Sequence, residues 1–324
     1  MENSVSPFSR PASASRGRAL SVAVVGAGRM GTALARALSA RGYAVEALVA
    51  RRASSARRAA SAAGLRALAL GQERLAELPV TDLLFVTTPD DALAETAERL
   101  AAMAAGVAGR GRFALHTSGA LSSEVLAPLC ARGFSTGSLH PLVAVSDPAA
   151  GAEALEGAFY CVEGDRAATR LARRLVRELG GQSLSVGAED KALYHAAAVM
   201  TAGHTVALFS SALGLLVRCG LTEQRARAAL VSLLRTTAEN LSARPPSRAL
   251  TGTFARADVR TVRRHLAALR RLQGTDALDA LIVYALLGER SLSLAERNGA
   301  DASALRKIKR ALSEAFTRGG LKEE

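Results

Sequence analysis

Lys191 and His195 stand four residues apart in the segment KALYH, so on a helix they occupy one face. An amine or an imidazole held against a carbonyl oxygen polarises it and can deliver the proton that a developing alkoxide needs. Desolvation moves a lysine toward the working range for that task. Three further clusters set polar side chains beside glycine or proline: Thr87-Thr88-Pro89-Asp90, His116-Thr117-Ser118-Gly119 and His140-Pro141. Each follows a run with strand character, and in open parallel sheets functional groups gather at the carboxyl ends of strands. The pattern nominates Lys191, His195 and His140 for catalysis, and His116, Thr117, Ser118 and Gly119 for orienting a substrate. Ordinary turn chemistry explains the same residue types and remains the plainer alternative. His204, inside an apolar run, reads as a bonded core histidine, and His265, among arginines, as a surface one.

A second constellation lies near the start of the chain. Ser21 to Val25 is a short apolar run that leads through Gly26, Gly28 and Gly31 into an alanine-rich helix. Gly26 permits a tight turn, Gly28 lets the backbone approach a pyrophosphate, and Gly31 lets the helix pack closely on the strand. Free amides at the helix start then face the phosphates. Arg29 and Met30, inside the motif, join this cofactor set, as does the Thr87-Thr88-Pro89 turn. Roughly twenty residues beyond such a motif, dinucleotide folds that take NAD place an acid for the ribose hydroxyl. Here that place holds Arg51 and Arg52, which match a 2′-phosphate and point to NADP(H).

These groups need elements to position them. Strand character recurs at Tyr43–Ala50, Leu83–Thr87, Arg112–His116, Ser135–His140, Ala158–Glu163 and Gln182–Val186, with helices between, including Ala92–Ala105, Ser122–Arg132 and Ala167–Leu179. This alternation predicts an α/β fold with a doubly wound, mostly parallel Rossmann sheet. After Gly187 the pattern is helical: one long helix from Glu189 to Arg218, then Thr222–Leu241, a helix capped by Asp258, and Asp276–Leu287, Ser291–Asn298 and Ala302–Phe316. The expected division is a disordered tail over 1–18, a dinucleotide-binding domain over 19–187 and an all-α domain over 188–324.

Composition narrows the classes. The chain of 324 residues has 4% aromatics and no tryptophan, which disfavours a base-stacking nucleic-acid reader. Its net charge of +13 comes from arginines scattered along helices, the pattern of solvated faces, so no nucleic-acid partner is expected. Cys130, Cys161 and Cys219 have no metal-ligand spacing and suit a reducing cytoplasm. No metal is expected. The apolar stretch Ala196–Val217, about 22 residues, is long enough to span a membrane. It contains His204 and several hydroxyls, and the core of a helical domain or dimer explains it without a membrane.

As an ordered set, GAGRMG, VTTPDDAL, HTSGALSSEVLAPL, GSLHPL, KALYHAAAV and LTGTFAR resemble an uncharacterised two-domain family over about residues 19–290. That family pairs a Rossmann-like NADP-binding domain with a helical domain of unknown function. More distantly the chain resembles the 6-phosphogluconate dehydrogenase-like superfamily, with its β-hydroxyacid dehydrogenases, pyrroline-5-carboxylate reductases and prephenate dehydrogenases. The resemblance implies a catalytic role for Lys191, with His195 where β-hydroxyacid dehydrogenases have asparagine. It implies a substrate-binding turn at Thr117-Ser118-Gly119, an active-site His-Pro turn at His140-Pro141, and a loop near the substrate at Thr251-Gly252. It further implies a homodimer through the helical domains. The expected activity is hydride transfer between NADP(H) and a small carbonyl, hydroxyl or imine substrate; the alternative is a non-catalytic NADP-binding scaffold or redox sensor.

Overall fold

The computed structural model describes residues 20–104 and 111–318; the expected tail over 1–18 lies outside them. β1 (Ser21–Val25) is buried along its whole length. Val22 and Val24 enter one apolar cluster and Ala23 and Val25 another, as expected of a strand covered on both faces. There follow α1 (Arg29–Ala40), β2 (Ala44–Ala50), α2 (Ala53–Ala63), β3 (Leu68–Gly71), β4 (Leu83–Val86), α3 (Asp90–Met103), β5 (Phe113–His116), α4 (Ala127–Cys130), β6 (Ser135–Pro141), α5 (Pro148–Ala154), β7 (Phe159–Gly164), α6 (Arg166–Glu178) and β8 (Gln182–Leu184). The eight strands form one sheet in the order β3-β2-β1-β4-β5-β6-β7-β8. All neighbouring pairs are parallel except β6 and β7. Leu34 and Leu38 of α1 and Leu171 and Leu175 of α6 cover one face; Leu93 and Leu100 of α3 and Leu129 of α4 cover the other. The doubly wound, mostly parallel sheet expected from the sequence is therefore present.

Register decides which side chains meet. Val86 lies beside His116, and His116 beside Ser138, so the ends of β4, β5 and the middle of β6 are level. In the antiparallel step His140 faces Cys161.

Several elements depart from the sequence expectation. β3 was not anticipated: LALG is four residues long and gains its identity by pairing with β2. The expected helix over Ser122–Arg132 is a 3₁₀ turn at Ser123–Leu126 followed by the four-residue α4, with proline in its first turn. The single helix expected from Glu189 to Arg218 is two, α7 (Lys191–Thr201) and α8 (Gly203–Arg218), interrupted at Ala202 with φ −98° and ψ −70°. The compact units divide between Met200 and Thr201, so α7 belongs with the sheet although the strand pattern stops at 187. Burial of Lys191 against the sheet ends gives the reason.

The second unit contains α8, α9 (Glu223–Ala243), α10 (Pro246–Ala249), α11 (Gly252–Ala255), α12 (Val259–Arg270), α13 (Thr275–Arg297) and α14 (Ala302–Arg318). Thr222 caps α9 by accepting from the Arg225 amide, and Asp258 caps α12 by accepting from Thr261. The two helices expected between 276 and 298 are one, α13. Leu266 of α12, Leu281 and Ala285 of α13, and Ile308 and Leu312 of α14 form its core.

Candidate active site

The glycine turn between β1 and α1 is shaped by contacts that exclude side chains. Gly26 has φ +112°, and a Cβ there would stand 2.6 Å from the Thr88 amide nitrogen. A Cβ on Gly31 would meet the Gly26 carbonyl oxygen and Thr87 Oγ1. Gly28 is open, with nothing nearer its Cβ position than the Gly26 oxygen at 3.9 Å. It is the N-cap of α1 and provides no side-chain cap, so the first-turn amides stay available to an anion. Thr87 is committed to the turn, since its hydroxyl donates to the Gly26 carbonyl at 2.7 Å. The neighbouring Thr88 Oγ1 is buried without a hydrogen-bond partner. Pro89 precedes α3, also without a side-chain cap. Arg29 is exposed, while Met30 packs partly buried on the main core. Arg51 and Arg52 follow β2, both exposed, and neither forms an ion pair with a described residue. Open Gly28, the uncapped helix start, the orphaned Thr88 hydroxyl and two available guanidiniums fit a phosphate-bearing dinucleotide.

The second cluster stands over the ends of β5 and β6. Lys191, at the first residue of α7, is 1% exposed. Its Nζ donates to Ser138 Oγ at 2.7 Å and to the Ser118 carbonyl at 3.2 Å. Burial, the largest influence, lowers its pKa, while Cys161, Glu163 and Asp90 favour its charge. Ser118 Oγ accepts from the amides of Ala120 and Leu121, so it holds the turn closed. His116 is fully buried, and both ring nitrogens are engaged: Nδ1 accepts from the Ser118 amide and Nε2 faces the Ser122 carbonyl, each at 3.1 Å. Desolvation and then the Lys191 charge push its pKa down to about 3. His116 thus builds the turn, where the sequence suggested a direct contact with substrate.

Gly119 lies beneath two imidazoles. Its Cβ position would meet His195 Nδ1, and would lie 2.8 Å from His140 Nε2. The two rings stand edge to face with centroids 5.6 Å apart. His195 Nδ1 is buried with no partner. His140 Nδ1 lies 2.8 Å from Tyr194 Oη. Desolvation, then the charges of Lys191 and His195, lower the pKa of His140 to about 4, so at neutral pH it is uncharged. Both imidazoles therefore pack directly on the Gly119 backbone, in space that any side chain there would take. Thr117 continues β5 through its amide, bonded to the Val86 carbonyl at 3.3 Å. Thr251 belongs to the second unit, where it is exposed at the N-cap of α11.

Three participants were not nominated from the sequence: Ser138, Tyr194 and Cys161. Two had a signal. Ser138 and His140 alternate on one face of β6, and Tyr194 is three residues from Lys191 on α7. Cys161 is brought in by the β6–β7 register alone.

Sheet order, glycine turn and uncapped helix start together define a Rossmann-type α/β protein carrying a helical C-terminal unit. More particularly, the chain matches the Rossmann-like domain over residues 8–141 and the domain of unknown function DUF2520 over 158–291, and is a protein of that two-domain kind. No curated protein matches it. Among solved structures, TM1727 from Thermotoga maritima is 21% identical, with 86% of this chain and 99% of that one covered and a TM-score of 0.63. BF3122 from Bacteroides fragilis, assigned as an NADP oxidoreductase, is 21% identical over 85% of this chain and 98% of that one, with a TM-score of 0.66. Pyrroline carboxylate reductase from Plasmodium falciparum, solved with NADP bound, is 10% identical over 93% and 98%, with a TM-score of 0.51. At these identities the likeness is one of fold.

Proposed function

We propose that the protein is an NADP(H)-dependent oxidoreductase that moves a hydride to or from a small carbonyl, hydroxyl or imine substrate. The observation that carries this reading is the pair of packed histidines, His140 and His195, with His195 Nδ1 left without a partner, in the same compact unit as a glycine turn fit for a dinucleotide. NADP(H), when bound, supplies or accepts the hydride. Gly28 and the first-turn amides of α1 would hold its pyrophosphate, with Arg51 and Arg52 at the 2′-phosphate. Relatives of the same fold that are named for NADP support that cofactor choice.

The chain's own residues perform the rest. His140 donates a hydrogen bond to the substrate oxygen or nitrogen, and the proton passes at His195 Nδ1, the nitrogen that the fold leaves without a partner. Lys191 fixes the Ser118–Gly119 turn to β6, and burial together with the lysine charge keeps His140 neutral, so that its ring has one donor and one acceptor nitrogen.

The same reading includes a homodimer and a cytoplasmic location. Among the described residues α8 has no buried residue and α9 only Ala226, while Val206 and Leu233 are 71% and 63% exposed in the single chain. Apolar faces of that extent mark association sites. The stretch Lys191–Arg218 has a mean hydropathy of 1.5 and could cross a membrane by length and composition. Its interruption at Ala202 and the burial of Lys191 in the sheet unit favour a second copy of the chain as its cover.

The deciding experiment titrates the full chain with NADPH and with NADH, then screens small carbonyl and imine compounds for NADPH consumption. Tight NADPH binding with turnover of one class supports the proposal. Tight binding without turnover of any class leaves a scaffold or sensor, and absence of NADPH binding ends the cofactor reading as well.

A further inference from the structure

The two nitrogens of His140 have different surroundings. Nδ1 is 2.8 Å from Tyr194 Oη, whereas Nε2 lies on the edge of the ring that packs against Gly119, beside His195. A neutral imidazole carries its hydrogen on one nitrogen only, and the partner of the other nitrogen decides which. Tyr194 is therefore placed to choose the form of the ring that a ligand meets.

Tyr194 itself has a second polar neighbour. Cys161, a fully buried residue opposite His140 in the β6–β7 register, lies beside its hydroxyl. Burial, the largest influence, pushes the Cys161 thiol up, so it keeps its hydrogen. Burial likewise raises the Tyr194 phenol, which stays protonated. A hydroxyl has one hydrogen to give and lone pairs to receive, sulfur is a weak acceptor, and an imidazole nitrogen is a strong one. The tyrosine hydrogen therefore goes to His140 Nδ1, the strong acceptor at 2.8 Å.

We propose that Tyr194 is a positioning residue that locks His140 as the Nε2–H tautomer and so makes that nitrogen a hydrogen-bond donor toward a ligand beside it. The group received there is then one with a lone pair, a carbonyl or hydroxyl oxygen or an imine nitrogen. That last statement rests on the oxidoreductase reading; the tautomer does not.

The test uses the uniformly ¹⁵N-labelled full chain at neutral pH, without cofactor or substrate. Two-bond ¹H–¹⁵N correlations distinguish the two tautomers of each histidine. His140 is expected as Nε2–H, with an unprotonated Nδ1. His116 is the internal control: the Ser118 amide on its Nδ1 fixes the same tautomer by a different route. In Tyr194→Phe, His140 should shift toward the Nδ1–H form while the His116 pattern stays. An Nδ1–H ring in the wild-type protein overturns the proposal, as does an unchanged His140 in Tyr194→Phe with His116 intact. If that variant does not fold, the wild-type spectrum still decides. A correct tautomer in a protein without turnover would remove the enzyme reading and keep this one.

Discussion

Lys191 Nζ and Ser138 Oγ are 2.7 Å apart, so the first residue of α7 is tied to the middle of β6. A second bond, to the Ser118 carbonyl, fastens the turn after β5 to the same amine. A buried cation thereby stands next to two imidazoles and helps keep both uncharged.

That arrangement sets the acid sensitivity of the protein. His116 and His140 have folded-state pKa values near 3 and 4, below the ordinary 6.5, chiefly through desolvation and then the Lys191 charge. Between these values and 6.5 the unfolded chain binds more protons than the folded one, so stability falls as pH drops through that window. From pH 7 to pH 5 each histidine should cost on the order of 2 kcal/mol, with little change from these groups above pH 7. Urea unfolding at both pH values measures it, and His140→Asn should roughly halve the loss. Lys191→Met should raise the His140 titration without restoring it to 6.5, because burial, the larger cause, remains; an NMR titration that finds no movement would remove the lysine from this account.

Gly119→Ala places a methyl group where His140 Nε2 and His195 Nδ1 converge. Turnover should fall on the order of 10²-fold or more, the scale of general acid–base catalysis. NADPH affinity should stay within about twofold, since no residue of the glycine turn is touched. Steady-state kinetics alongside a fluorescence titration separates the two, and near-normal turnover would move the chemistry elsewhere.

Arg51→Ala/Arg52→Ala should weaken NADPH binding by about 1–3 kcal/mol, the worth of charged hydrogen bonds, and leave NADH binding nearly unchanged. Calorimetric titration of both cofactors on both proteins gives the answer. Equal affinities for the two cofactors in the wild type would refute the assignment of these arginines to a 2′-phosphate.

Leu233 is 63% exposed on α9, whose only buried residue among those described is Ala226. Leu233→Arg should shift the protein from dimer to monomer in sedimentation velocity while the far-ultraviolet spectrum stays helical. A wild-type protein that sediments as a monomer at micromolar concentration would leave these apolar faces without the proposed cover.

Local sequence determined the parts of this protein whose physics is local. Gly26, Gly28 and Gly31 announce the turn because only glycine tolerates a φ of +112° at Gly26 and the close approach of α1 at Gly31. Alternating apolar strands and helices give the doubly wound sheet, and Thr222, Asp165 and Asp258 mark helix starts through caps made within three residues. Residues at the ends of β4, β5 and β6 could be nominated because strand ends are legible. Their division of labour could not. His116 and His140 look alike in the chain, yet His116 spends both nitrogens on its own turn while His140 keeps one for a ligand. Lys191 reads as a proton donor, and packing shows it bonded beneath the turn. Cys161 had no local signal, because its place opposite His140 depends on an antiparallel step in an otherwise parallel sheet. Register and burial are properties of the assembled sheet, and they alone decide which of several similar polar groups is satisfied by the protein and which is left for a ligand.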